Sequence, residues 1–127
     1  MNPTELQNNL GQFCGTEAYH QWSILFKKTL LTDGAKYLAE KANCFWLMDA
    51  IASHQPKCLK DKMLQDMQFW TLKVHENKSA TLICERDTND IFLKQKIPAT
   101  NFPLPEIKLW VEADGNGRMI ILLPSEH

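Results

Sequence analysis

Ile107-Lys108-Leu109-Trp110-Val111-Glu112-Ala113-Asp114-Gly115-Asn116-Gly117-Arg118-Met119-Ile120-Ile121-Leu122-Leu123 is the stretch that decides the fold. Ile107, Leu109 and Val111 alternate with Lys108, Trp110 and Glu112, the period of a strand with one face buried. Asp114-Gly115-Asn116-Gly117 then supplies residues that accept positive φ, and Met119, Ile121 and Leu123 resume the alternation. The pattern predicts a β-hairpin with Ile107, Leu109, Val111, Met119, Ile121 and Leu123 on the core side.

Moving toward the amino terminus, residues 98–105 hold three prolines and read as an irregular connection, because proline cannot donate to an interior ladder. Ile91 to Ile97 reads as a strand preceded by the turn Asp87-Thr88-Asn89-Asp90. Phe69 to His75 sets Trp70, Leu72 and Val74 against Thr71, Lys73 and His75, and Glu76-Asn77-Lys78 turns it into a second hairpin with Ala80 to Glu85. Tyr19 to Leu30 also alternates, with Trp22, Ile24 and Phe26 on one face, and is read as a further strand.

Helices fill the rest. Pro3 and Glu5 suit the first turn of a helix over residues 3–10 that stops near Gly11. Thr32-Asp33-Gly34 caps a helix in which Ala35, Leu38, Ala39 and Ala42 share a face, with Asn43 as a left-handed stop. Cys44 to Ala52 is apolar nearly all round apart from Asp49, which predicts a helix buried on most sides. Leu59, Met63 and Met67, spaced by four, suggest another helical turn or two over 58–67. Residues 1–127 therefore read as a single α+β domain: a mainly antiparallel sheet of about five or six strands with central helices packed on one face.

Composition narrows the function. The 127 residues are 44% hydrophobic and 23% charged, an ordinary globular balance that can form one core. Fourteen basic and 15 acidic side chains leave a net charge of -1, and Asp61 and Asp66 interleave with Lys57, Lys60 and Lys62. That balance argues against a nucleic-acid partner. No apolar run approaches the ~20 residues that span a bilayer, and the amino terminus lacks the layout of a secretion signal. Cys14, Cys44, Cys58 and Cys84 form no Cys-x-x-Cys pair and read as free thiols. These features predict a cytoplasmic protein without a membrane segment, and no cofactor motif is present.

Three constellations invite chemistry. Cys44 at the amino end of a buried helix, with His75 brought up by the sheet, is one arrangement a cysteine hydrolase uses, but a buried core thiol is the preferred reading of Cys44. His54 and Cys58 have a metal-ligand spacing, but Pro56 lies between them and no second pair exists. Glu17 and Asp49 are a possible carboxylate pair, with Asp49 beside Trp46 in the burial that suits a general acid. The structural reading of Asp49 is preferred: it accepts hydrogen bonds from loop N–H groups or from Thr16, Tyr19 or His20, tying strand to helix. Thr16, Glu17, Asp33 and Asp49 are thus the candidate polar cluster.

Four stretches together resemble an uncharacterised bacterial family of small proteins, a domain of unknown function: Phe13-Cys14-Gly15-Thr16-Glu17 with Tyr19, Leu31-Thr32-Asp33-Gly34-Ala35-Lys36-Tyr37-Leu38, Asn43 to Ser53 with Trp46-Leu47-Met48-Asp49-Ala50-Ile51, and Asn101-Phe102-Pro103-Leu104. The resemblance covers nearly the whole chain and implies Gly15, Thr16, Glu17, Asp33, Gly34, Trp46 and Asp49 as characteristic residues. Position 44 need not be Cys in that family, and an Asp often stands where Asn101 is here, which weakens a catalytic role for either residue.

The missing catalytic signature favours a non-enzymatic module that binds a protein partner or a second copy of itself. The alternative is a small hydrolase using Cys44 with His75, or Glu17 with Asp49. Phe92, Trp110, Ile120 and Leu122 fall opposite the predicted core face, so a homodimer interface is expected there.

Overall fold

The structure, a computed structural model, describes residues 2–127. The predicted carboxy-terminal hairpin is present as β5 (Glu106–Ala113) and β6 (Met119–Leu122), with Val111 opposite Ile121. Its turn depends on Gly115 and Gly117, both at φ +84°, and on Asp114, whose carboxylate accepts from the Asn116 and Arg118 N–H groups at 2.7 and 3.1 Å. The other hairpin is also present, as β2 (Met67–Val74) and β3 (Ala80–Asp87), followed by the edge strand β4 (Asp90–Ile97).

Helices occupy the amino-terminal half. Asn2 caps α1 (Pro3–Leu10) by accepting from Glu5 N–H at 2.8 Å, and Thr32 Oγ1 caps α2 (Asp33–Lys41) by accepting from Ala35 N–H at 3.2 Å. Asn43 takes a left-handed φ of 51° between α2 and α3 (Phe45–Ser53). A one-turn helix α4 (Gln55–Cys58) follows.

One six-stranded sheet runs in the order β1-β6-β5-β2-β3-β4, where β1 (Thr29–Leu31) pairs with β6 in parallel and every other pairing is antiparallel. A single apolar core joins Leu38, Leu47, Met48 and Ile51 of the helices to Trp70, Leu72, Leu82, Leu109, Val111 and Ile121 of the sheet. The α+β architecture expected from the sequence is the one observed.

Two expectations are corrected. Residues 19–28 are not a strand: only His20 bridges Leu31, and Thr29–Leu31 alone joins the sheet. The segment turns at Ser23, whose carbonyl accepts from Phe26 N–H at 3.3 Å and whose hydroxyl accepts from Leu25 N–H at 3.2 Å, so its alternation has no ladder to serve. The helix expected over 58–67 forms earlier, at Gln55–Cys58. Pro56 does not break it, because proline is accommodated in a first turn whose N–H groups lack helical partners. Beyond it, Asp61 stops regular helix by accepting from Met63 and Leu64 N–H groups, and Leu64 is buried while Leu59 and Met63 are exposed.

The carboxy-terminal 3-10 turn (Pro124–Glu126) closes the fold in a way that local sequence does not reveal. The Glu126 carboxylate accepts from Thr32 Oγ1 at 2.6 Å and from the N–H groups of Gly34 and Leu123 at 3.0 Å each. An anion at the positive end of α2 is favourable. Gly34 leaves room for that approach: a Cβ there would lie 2.6 Å from Glu126 Oε1 and 2.7 Å from Leu123 Cδ1, so both side chains would have to shift.

A second buried polar device seals α3 and α4 to β2. Gln55 and Gln68 exchange amide hydrogen bonds at 2.9 and 2.8 Å, Trp70 Nε1 donates to Gln68 Oε1 at 2.9 Å, and the two amides reach the Ile51 and Leu64 carbonyls. No buried side-chain nitrogen or oxygen is left unpaired among the described residues.

Candidate functional site

The loop running from Thr16 to Trp22 crosses the amino-terminal end of α2 and the exposed side of α3. Asp33, the first residue of α2, holds it. One carboxylate oxygen accepts from Glu17 N–H at 2.9 Å, and the other lies 2.7 Å from His20 Nε2. Thr16 Oγ1 accepts from Asp33 N–H at 2.9 Å and donates to the Ala18 carbonyl at 2.7 Å. The Glu17 N–H and then His20 hold the Asp33 carboxyl below its ordinary pKa of 3.8, because both favour the charged form. The backbone of His20 exchanges hydrogen bonds with Leu31 at 2.8 and 2.9 Å, so the residue is held through backbone and ring alike.

Two residues on, Trp22 Nε1 donates to Asp49 Oδ1 at 2.8 Å and pins the loop to α3. Between these two anchors the loop and the helices enclose an open cleft of about 470 Å³, lined by His20, Trp22, Lys36, Phe45 and Asp49. It therefore offers a carboxylate, an ammonium group, an oriented imidazole and two aromatic walls.

The polar candidates are divided between the two anchors. Thr16 and Asp33 meet in one network; Glu17 enters it only through its backbone N–H, and its side chain is exposed. Asp49 lies across the cleft with Trp22. The expected burial of Asp49 is corrected: it is exposed, and Asp33, not Asp49, receives the loop N–H. The reason is its place on the outward side of α3, whose Leu47, Met48, Ile51 and Ala52 face the core. His20 and Lys36 were absent from the predicted cluster. His20 falls in the stretch whose alternation reads as a strand, which hides its pairing with Asp33 of the cap motif.

Cys44 and His75 have separate surroundings. The Cys44 thiol is fully buried, donates to the Leu38 carbonyl at 3.6 Å, and is pushed up to about 12 by burial, the opposite of an activated nucleophile. His75 is exposed at the hairpin and sits 3.0 Å from Thr81 Oγ1. His54 stacks on Trp70 with ring centroids 5.9 Å apart and contacts Gln95 Oε1 at 2.7 Å, while Cys58 hydrogen-bonds Cys84, whose own thiol is raised by that bond and by burial. Among the described residues, no group of three or more His, Cys, Asp or Glu side chains could hold a metal ion.

The apolar residues expected to line a wet outer face do not form one open patch. Ile120 and Leu122 are 3% and 1% exposed within the monomer. Trp110 is half-buried, edge-on to Phe69 at 5.3 Å and to His127 at 5.2 Å, so the carboxy-terminal turn covers part of this face. Phe92 packs against the core under the Arg86 guanidinium, 4.9 Å from its ring centre. Register shifts between Cys84, Glu85 and Asp87 break the alternation there, which is why counting by two misplaced it.

Residues 4–127 match the family of unknown function DUF6876, and the chain belongs to that family. No curated protein and no solved structure matches it. No helix among the described residues is long and apolar enough to cross a membrane.

Proposed function

We propose that this member of the DUF6876 family is a non-enzymatic interaction module of the cytoplasm that docks a protein partner through the loop at residues 19–26. The observation that carries this reading is the exposure of Ile24 and Leu25, 78% and 82%, at the tip of a loop anchored before it by the His20–Asp33 and Trp22–Asp49 bonds and after it by strand β1. Adjacent large apolar side chains held in water on a fixed support lose little conformational freedom on docking, and they gain the hydrophobic free energy of burial. Tyr19 is exposed on the same loop and adds the amphipathic surface favoured at interfaces. Four free cysteines, three of them buried, suit a reducing compartment.

Burial of Ile120 and Leu122 removes the argument for a two-fold interface on the outer sheet face, and burial of Cys44 removes the one for a cysteine hydrolase. A photo-reactive residue in place of Leu25, introduced in the native host, is expected to give one discrete adduct. The purified partner should then bind the wild-type chain and lose binding to the Ile24→Ser/Leu25→Ser double variant. An adduct of twice the chain's own mass would identify the partner as a second copy. Equal binding by wild type and double variant would end the proposal.

A further inference from the structure

We propose that the cleft between the 16–22 loop and helices α2 and α3 binds a free α-amino acid with an apolar side chain. The inference starts from two opposite charges that line one cavity from different helices, Lys36 on α2 and Asp49 on α3. Neither is neutralised by the other. Lys36 reaches Glu40 at only 3.9 Å, one turn along its own helix, and Asp49 is held by a neutral donor, Trp22 Nε1, bonded to one of its two oxygens. The third titratable group at the cleft, His20, is already matched by Asp33 at 2.7 Å. A ligand bearing one charge would satisfy one side of the cleft and set itself against the other. An α-amino acid carries an ammonium for Asp49 and a carboxylate for Lys36 on the same carbon, and both contacts are charge-assisted.

The remaining walls select the side chain. Trp22 and Phe45 present aromatic surface inside the cavity, which rewards an apolar or aromatic group over a charged one. The volume of about 470 Å³ is ample for a single amino acid. The loop is also fixed before binding, since His20 is bonded through both ring and backbone and Trp22 through its indole N–H.

Titration of the full chain with L-phenylalanine, followed by amide chemical shifts, is expected to give saturable changes confined to residues 20–23, 36 and 45–49. 2-Phenylethylamine and 3-phenylpropionate, each lacking one charge, should bind about tenfold more weakly or worse. Asp49→Asn, which keeps an acceptor for Trp22, and Lys36→Met should each weaken binding to the same degree, while Lys57→Met leaves it unchanged. Melting curves confirm that the variants fold, and either one alone decides the matter if the other does not. No saturable shift with phenylalanine, leucine or methionine, or equal binding of a one-charge analogue, overturns the proposal. The Ile24→Ser/Leu25→Ser variant should retain amino-acid binding, which separates this site from partner docking.

Discussion

Residues 107–123 and residues 16–31 are both rich in apolar side chains, yet different chemistry fixes each. The first is held by backbone: four residue pairs link β5 to β6, and β5 pairs along its length with β2 on the other side. The second is held mostly by side chains, the Thr16–Asp33–His20 network and the Trp22–Asp49 bond, with a ladder of only three residues against β6. Alternation fixes which side chains face inward only where a neighbouring strand is in reach. A tight turn brings β6 beside β5, whereas the 19–28 segment makes a single bridge to the β1 edge at His20 and is turned away at Ser23. The same kind of apolar residue is therefore core in one stretch and surface in the other.

Substitution offers the sharpest way to break this contrast. Leu109→Ala removes a fully packed side chain from β5 and should lower the unfolding free energy by about 2–5 kcal/mol in urea denaturation. A loss under about 1 kcal/mol would mean that the ladder is not packed as described. Acid should act on the loop in particular. Because the folded pKa of Asp33 is lowered, its contribution is fully present above its ordinary 3.8 and drains away as pH falls through the lower folded value. The stability difference between wild type and Asp33→Asn should accordingly shrink on acidification below 3.8, measured by denaturation at stepped pH. A gap that is constant or widens there would remove the carboxylate from its anchoring role. The smallest effect belongs to Leu25→Ala, expected to change stability by no more than about 0.5 kcal/mol because nothing packs on it. Comparable losses for Leu25→Ala and Leu109→Ala would erase the distinction between the two stretches.

What was legible in the sequence was local. The Pro3 and Glu5 start of α1, the Thr32-Asp33-Gly34 cap, the Asn43 stop and the two hairpins each depend on residues within a few positions of one another, where the chemistry of φ and of capping oxygens is direct. The illegible parts rest on partners distant in sequence. Gln68 occupies an inward position on β2 beside Trp70 and Leu72, and only the presence of Gln55 explains a polar side chain there. Phe92 was misassigned by a bulge that carries no sequence mark. The candidate site is half legible: Asp33 and Asp49 stand out in the sequence, but the loop N–H expected at Asp49 is received by Asp33, because the direction of α3 decides which carboxylate the loop meets.

The Glu126 contacts bear on the order in which the molecule can be made. Thr32 and its carboxylate partner stand 94 residues apart, and β1 finds its parallel neighbour β6 across a similar interval. A chain emerging from the ribosome can wind α2 and α3 early, but the start of α2 keeps its N–H of Gly34 without a carboxylate until residues 119–126 follow. The helical layer, with the 16–22 loop resting on it, thus stays unlatched until some 90 residues more have been made, and β6 with the turn after it acts as its bolt.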